Sequence, residues 1–228
     1  MLDEDSHSKI LEHYKIKDVE TPPEFVKVEL VNTGKLEEDF LSPDLKHWKL
    51  TVDQDTFPAW WAGSEEWVEK EMLKALKDTI EKRVCKAGQK IKEINEGERW
   101  YVVGGTISEV IGGTISEVWG GTINEVWGGT ISDVSGGTIS KVIGGTISEV
   151  WGGTISDVSG GTINDVRGGT ISRVSGGTIN DVRGGTINEV SGGTISKVSN
   201  YGVVMYRESG ILKIRAGSEY AKVKKWVK

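Results

Sequence analysis

The side chains able to do chemistry in this chain stand mostly at fixed places in one repeated phrase. From residue 104 to 199 the sequence runs GGTISEVI, GGTISEVW, GGTINEVW, with nine further copies behind. Counting from the first glycine, position six is charged in every copy, and nine of the twelve are Asp or Glu. Repeated carboxylates are groups that lyases and hydrolases can use as acid and base. No copy breaks the pattern to single out an acid–base pair, so a solvated, salt-bridged face is expected, and catalysis is a remote alternative. Position eight is Ile, Trp, Ser or Arg. Trp119, Trp127 and Trp151 there could stack on a sugar ring or a partner protein, and Arg167 and Arg183 would add a basic stretch. Thr and Ser or Asn flank each isoleucine, a regular row of hydroxyls and amides that could organise water.

Outside the repeats the candidates are fewer. Trp48, Phe57, Trp60, Trp61 and Trp67 form a dense aromatic group. Packing is its expected use, yet adjacent Trp60 and Trp61 cannot both face inward on an extended stretch, so both are kept as ligand candidates. Asp53-Gln54-Asp55 is an Asp-x-Asp, but an EF-hand loop would need glycine where Pro58 stands, so a turn is expected. His7, His13 and His47 have no Cys or His at metal-ligand spacing. Cys85, the one cysteine, permits no internal disulfide and sits in no nucleophile motif. No metal, cofactor or catalytic residue is predicted.

The elements that must hold these residues follow from the octad. Its glycine pair, threonine, isoleucine and valine never vary. A helix would lose about 2 kcal/mol per octad to the glycines. Collagen needs glycine every third residue. Two β-branched apolar residues per copy argue against a disordered linker. The remaining architecture is a β-solenoid, with isoleucines and valines stacked inward and glycines turning corners. Isoleucine and valine are three apart, and strict alternation would expose one of them. The chain is therefore expected to bend at positions five and six, making each octad two short segments. Two octads per coil, sixteen residues, stack every basic position-six residue on acids: Lys141 between Glu125 and Asp157, Arg173 between Asp157 and Glu189, Lys197 after Asp181. A 24-residue coil would set Arg173 beside Lys197, so sixteen is preferred, although it also places Arg167 next to Arg183. Six such coils span about 29 Å at about 4.8 Å per layer.

The fold class expected is thus an α+β N-terminal domain (1–103), an all-β solenoid or β-helix of twelve octapeptide repeats (104–199), and a C-terminal cap with a basic tail (200–228). A helix is predicted over 64–84, capped by Ser64, with Val68, Met72, Ala75, Leu76, Thr79, Ile80 and Val84 on its apolar stripe and Gly88 as a stop. A short helix is expected within 1–14. Strands are expected at 25–30, 48–52 and 99–103, and cap strands at 203–206 and 211–215. The N-terminal domain is expected to share a packed junction with the first octad and to cover one open end of the solenoid, which would otherwise template aggregation.

The repeat is similar to those of two groups of proteins. Read from its valine as VWGGTISE, it resembles the V-x-G octapeptide needles of contractile-tail phages and type VI secretion spikes. In those proteins three chains wind into one prism and the apolar residues are usually two apart rather than three. The chain looks more like a group of bacterial and phage proteins with GGTI-x-x-V octads behind a small domain, whose members carry a phrase similar to Leu50-Thr51-Val52-Asp53-Gln54-Asp55-Thr56-Phe57-Pro58-Ala59-Trp60-Trp61. That resemblance implies fold and a phage or mobile-element origin, not an activity.

Charge completes the expectation. The three regions carry net charges of -7, -4 and +5 within an overall -6. So acidic a chain is a poor general binder of nucleic acid. The start MLDEDSHSK has no apolar run and no stretch reaches membrane-spanning length. Cytoplasmic synthesis without a signal peptide is expected, with a place in a virion open to it. The expected role is a non-enzymatic structural or interaction protein, a rigid spacer or binding module with a protein partner or self-association. The alternative is a solenoid that binds polysaccharide, peptide or ice through the Trp/Arg or Thr/Ser ladder.

Overall fold

The computed structural model describes residues 11–12, 15, 25–41, 45–199, 201–208, 211–216 and 221–222 of the 228. They divide into two units, Met1–Arg83 and Val84–Lys228.

In the first unit, strands Val28–Asn32 and Trp48–Val52 pair antiparallel, with Leu30 opposite Leu50. A short helix, Leu36–Leu41, lies between them in the chain. A 3-10 turn, Ala59–Trp61, leads to the long helix Glu65–Arg83. That helix packs on both strands, and its Glu69 accepts a hydrogen bond from the Leu50 N–H at 3.2 Å. Phe40, Leu45, Trp61, Leu76 and Ile80 are buried. The strand at 48–52 falls where expected. The first starts three residues later than expected, beyond the turn that Gln54 ties to Phe25. Helix details also differ. The Ser64 hydroxyl donates back to the Trp60 carbonyl at 2.9 Å instead of capping the first turn. Ala75 is exposed, while Leu73 is half-buried. Val84 has left the helix for a strand, and Gly88 (φ 83°) turns the chain between two strands. The short helix expected within 1–14 lies largely outside the described residues.

The second unit is a β-solenoid. Successive octads alternate between two nine-stranded sheets, and each strand pairs in parallel with the strand two octads on. Thr138, Ile139, Lys141 and Val142 face Thr154, Ile155, Asp157 and Val158. The coil is therefore sixteen residues. Lys141 stacks between Glu125 and Asp157, Asp157 meets Arg173, and Asp181 meets Lys197. Each full octad strand is one five-residue strand, such as Thr146–Val150, with Ile147 and Val150 both sealed from solvent. Two separate segments were expected. Instead the strand is continuous, and the cross-strand partners skip position five. A local deviation there lets residues three apart both point inward. The full corner lies at position eight and the glycine pair, where no strand is formed.

The glycines are needed because the ladder runs through the corner. Trp127 and Gly128 N–H both donate to the Val110 carbonyl, at 2.8 and 3.1 Å, and Thr130 N–H to Gly113 at 3.0 Å. At such a corner Gly145 has φ 73°, and a Cβ on it would stand 2.7 Å from the Gly129 carbonyl oxygen. A Cβ on Gly144 would collide with the Trp127 carbonyl. The first glycine is required by close approach and the second also by its left-handed backbone.

The solenoid begins before the first octad. Val84–Cys85, Lys90–Ile94 and Arg99–Val102 already belong to the two sheets. Ile91 pairs with Ile107 and Ile94 with Val110. Cys85 pairs with Val102, which pairs with Val118, so the thiol heads the valine column. The boundary between the units thus falls after Arg83, twenty residues ahead of the one expected from the glycine pairs. At the other end the pairing changes direction. Val203–Glu208 joins in parallel, with Val204 under Ile187, and then Ile211–Ala216 folds back antiparallel on it. Ala221–Lys222 closes the second sheet, also antiparallel. These strands extend slightly beyond those expected at 203–206 and 211–215.

Candidate functional site

With sixteen residues per coil, every sixteenth side chain makes a column along the solenoid. Position eight makes two. One corner carries Ile111, Trp127, Ile143, Ser159, Ser175 and Ser191. The other carries Trp119, Ser135, Trp151, Arg167, Arg183 and Ser199. The acids Glu117, Asp133, Glu149, Asp165 and Asp181, followed by Lys197, run beside the second column on the same sheet.

Of the sequence candidates, Trp119, Trp151, Arg167 and Arg183 come together on one corner. Trp151 is 52% exposed, and the Arg167 guanidinium carbon stands 4.5 Å from the centre of its ring. Trp119 stacks on Tyr101, centroids 6.2 Å apart and planes 14° from parallel. Trp127 lies on the opposite corner, between Ile111 and Ile143 in its column, and its indole N–H donates to Glu125 at 2.8 Å. It shares no face with the other two.

The arginines are not a free basic patch. Arg167 donates to Glu149 Oε1 at 3.0 Å, and its Nε lies 3.1 Å from Asp165 Oδ2. That last contact is an ion pair without hydrogen-bond alignment, since Arg167 Nε has no hydrogen-bond acceptor. Arg183 Nε lies 3.2 Å from Asp165 and 3.1 Å from Asp181. The like-charged neighbours Arg167 and Arg183 are compatible because Asp165 touches both. Asp181 also takes hydrogen bonds from Lys197 at 3.1 Å and Ser199 at 3.0 Å. Burial alone would raise its carboxyl pKa, but the hydrogen bonds from Lys197, Arg183 and Ser199 together outweigh this and hold it below the ordinary aspartate value. The same hydrogen bond to Asp181, with Asp165 nearby, raises the pKa of Arg183.

The aromatic group of the first unit divides. Trp60 is 54% exposed and Trp61 only 4%. Trp61 packs against Phe57, centroids 6.3 Å apart, and meets Trp60 edge-on at 6.0 Å. Its burial takes Trp61 out of any surface strip and leaves Trp60, Phe57 and Trp67 exposed. Between Asp53 and Asp55, Gln54 works as a pin: it accepts from the Lys27 N–H at 2.8 Å and donates to the Thr56 and Phe25 carbonyls. His47 offers its carbonyl to the Thr33 N–H and hydroxyl. His7 and His13 lie outside the described residues. Burial pushes the Cys85 thiol pKa up, only partly offset by the Thr106 backbone, so the thiolate is disfavoured. Among the described residues no group of three or more His, Cys, Asp or Glu could hold a metal ion, and no helix is long and apolar enough to cross a membrane.

Sequence reasoning missed Tyr101, Asp133 and Ser135 as parts of this corner. The signal was a spacing of eighteen: position eight of one coil reaches back to position six of the coil before, as Arg167 does to Glu149. No family model, curated protein or solved structure matches the chain.

Proposed function

We infer that the chain acts without catalysis, as a rigid β-solenoid spacer that also carries a binding strip for a protein partner, within an assembly of phage or mobile-element origin. The observation that supports this is the unbroken sixteen-residue register. Thr faces Thr and Ile faces Ile from coil to coil, around an interior of isoleucine and valine columns. Eight inter-strand steps in a nine-stranded sheet give a rod of about 38 Å. Its corners carry no insertions in which a mobile lid or substrate loop could be built. Such an element suits holding parts at a fixed separation.

The test is association in the producing cell. Tagged full-length chain should co-purify with particles or an assembly at constant stoichiometry, and particle proteomics should contain it. A strict monomer absent from every assembly would contradict the role.

One observation favours a second reading, polysaccharide capture: Trp127 and Trp151 are each half exposed on opposite corners. A glycan-array hit should then disappear in the Trp127→Ala, Trp151→Ala double variant. An array without hits, or a hit the variant keeps, removes that reading.

A further inference from the structure

Along the corner of Trp119 and Trp151, the acids find partners by the spacing of eighteen. Glu149 is held by Arg167, Asp165 by Arg183 and Asp181 by Ser199. On the other sheet Ser175 donates to Asp157 at 3.2 Å in the same way. Glu117 is engaged as well. Asp133 is the exception. Eighteen residues beyond it stands the indole of Trp151, and no hydrogen bond or ion pair reaches the Asp133 carboxylate among the described residues.

The same coil also leaves a gap at position eight. Ser135 is the one small side chain between two indoles, and it is exposed. Tyr101 covers the N-terminal side of Trp119, and Arg167 covers the C-terminal side of Trp151. The strands that carry the two rings are two inter-strand steps apart, about 9.6 Å. A flat ion in contact with both would need about 7 Å between the ring planes, so a guanidinium in the gap stacks on one indole at a time. The occupied version of this arrangement lies two coils on, where Arg167 lies on Trp151 with its Nε 3.1 Å from Asp165, the counterpart of Asp133.

We propose that the notch at Ser135, flanked by Trp119 and Trp151 and bounded by the carboxylate of Asp133, takes the guanidinium of an arginine on a partner protein. The proposal rests on the reading of the solenoid as a non-enzymatic binding scaffold and names the group it recognises. A guanidinium fits better than an ammonium, because it is planar, weakly hydrated and able to stack on one surface while donating at its edge. The carboxylate of Asp133 supplies the complementary charge. A neutral sugar ring would use the indoles but leave Asp133 uncompensated.

The full-length chain is titrated with N-acetyl-arginine methylamide, its citrulline isostere and cellotetraose, following the indole N–H resonances of Trp119 and Trp151. The arginine amide should shift both resonances, saturating on the order of millimolar, and citrulline should bind at least about tenfold more weakly. Asp133→Asn should weaken arginine binding about fivefold. Ser135→Arg should fill the notch from within, abolish the response and melt no lower than the parent. Equal shifts from citrulline, or a full arginine response in Ser135→Arg, would overturn the proposal. So would cellotetraose shifts that exceed those of arginine and persist in Asp133→Asn, which would make the notch a glycan site. Circular dichroism of each sample separates the two levels. A β spectrum with no arginine response sinks the notch alone, and an unordered spectrum sinks the scaffold with it.

Discussion

At the scale of single residues, the octad assigns each position one physical duty, and few substitutions are neutral. Gly145→Ala combines a left-handed backbone with a Cβ 2.7 Å from the Gly129 carbonyl oxygen. It should destabilise by more than about 1 kcal/mol, read as a lower midpoint in urea. Asp181 is expected to contribute to the acid limit. Its carboxyl pKa is lowered in the folded chain, so its contribution is complete above the unfolded value of about 4 and disappears as pH falls through the folded one. Thermal melts of the parent should therefore fall below about pH 4, and Asp181→Asn should flatten part of that dependence. An unchanged acid limb in the variant would show that Asp181 is not a controlling group.

At the scale of the element, the strand and its corner are the unit of construction, and two octads are the unit of addition. Deleting residues 136–151 removes one coil and leaves every column in register. Deleting 136–143 moves all later octads to the opposite sheet. The isoleucine and valine ladders survive that exchange, but Asp157 would follow Asp133 and the Lys141 pairing would be lost. Both variants should fold, with the eight-residue deletion melting lower, and scanning calorimetry reads the order. Much of this logic is legible in the sequence, because an octad with five invariant positions exposes both its apolar pair and the varying charges that select a sixteen-residue coil. The start at Val84 was harder to read. Lys90–Ile94 keeps the apolar pair, Ile91 and Ile94, without a glycine pair to announce it. The neutralised arginines were hidden for a different reason. Arg167 meets Glu149 across adjacent coils, a neighbourhood that exists only once the coil size is known. The unbroken strand through position five was also missed, since alternation alone demands a break where a local deviation suffices.

At the scale of the whole molecule, the solenoid unit is a stack whose last strands reverse direction on both sheets. The antiparallel hairpin Val203–Ala216 ends the parallel propagation that a bare octad edge would invite. Stability in such a stack is close to a sum over neighbouring coils, so a rod of this kind is lengthened or shortened without redesign. That property suits a spacer. It also makes the pairing of coils the claim on which the columns, the arginine–acid ladder and the Ser135 notch all depend. Spin labels at Ile111→Cys and Ser191→Cys, exposed and in one column, test it most directly by pulsed dipolar spectroscopy. Five inter-coil steps predict one narrow distance near 24 Å between backbones, at about 4.8 Å per step, extended only by the label arms. A broad distribution, or a peak near the roughly 16 Å axial rise of a 24-residue coil, would contradict the account.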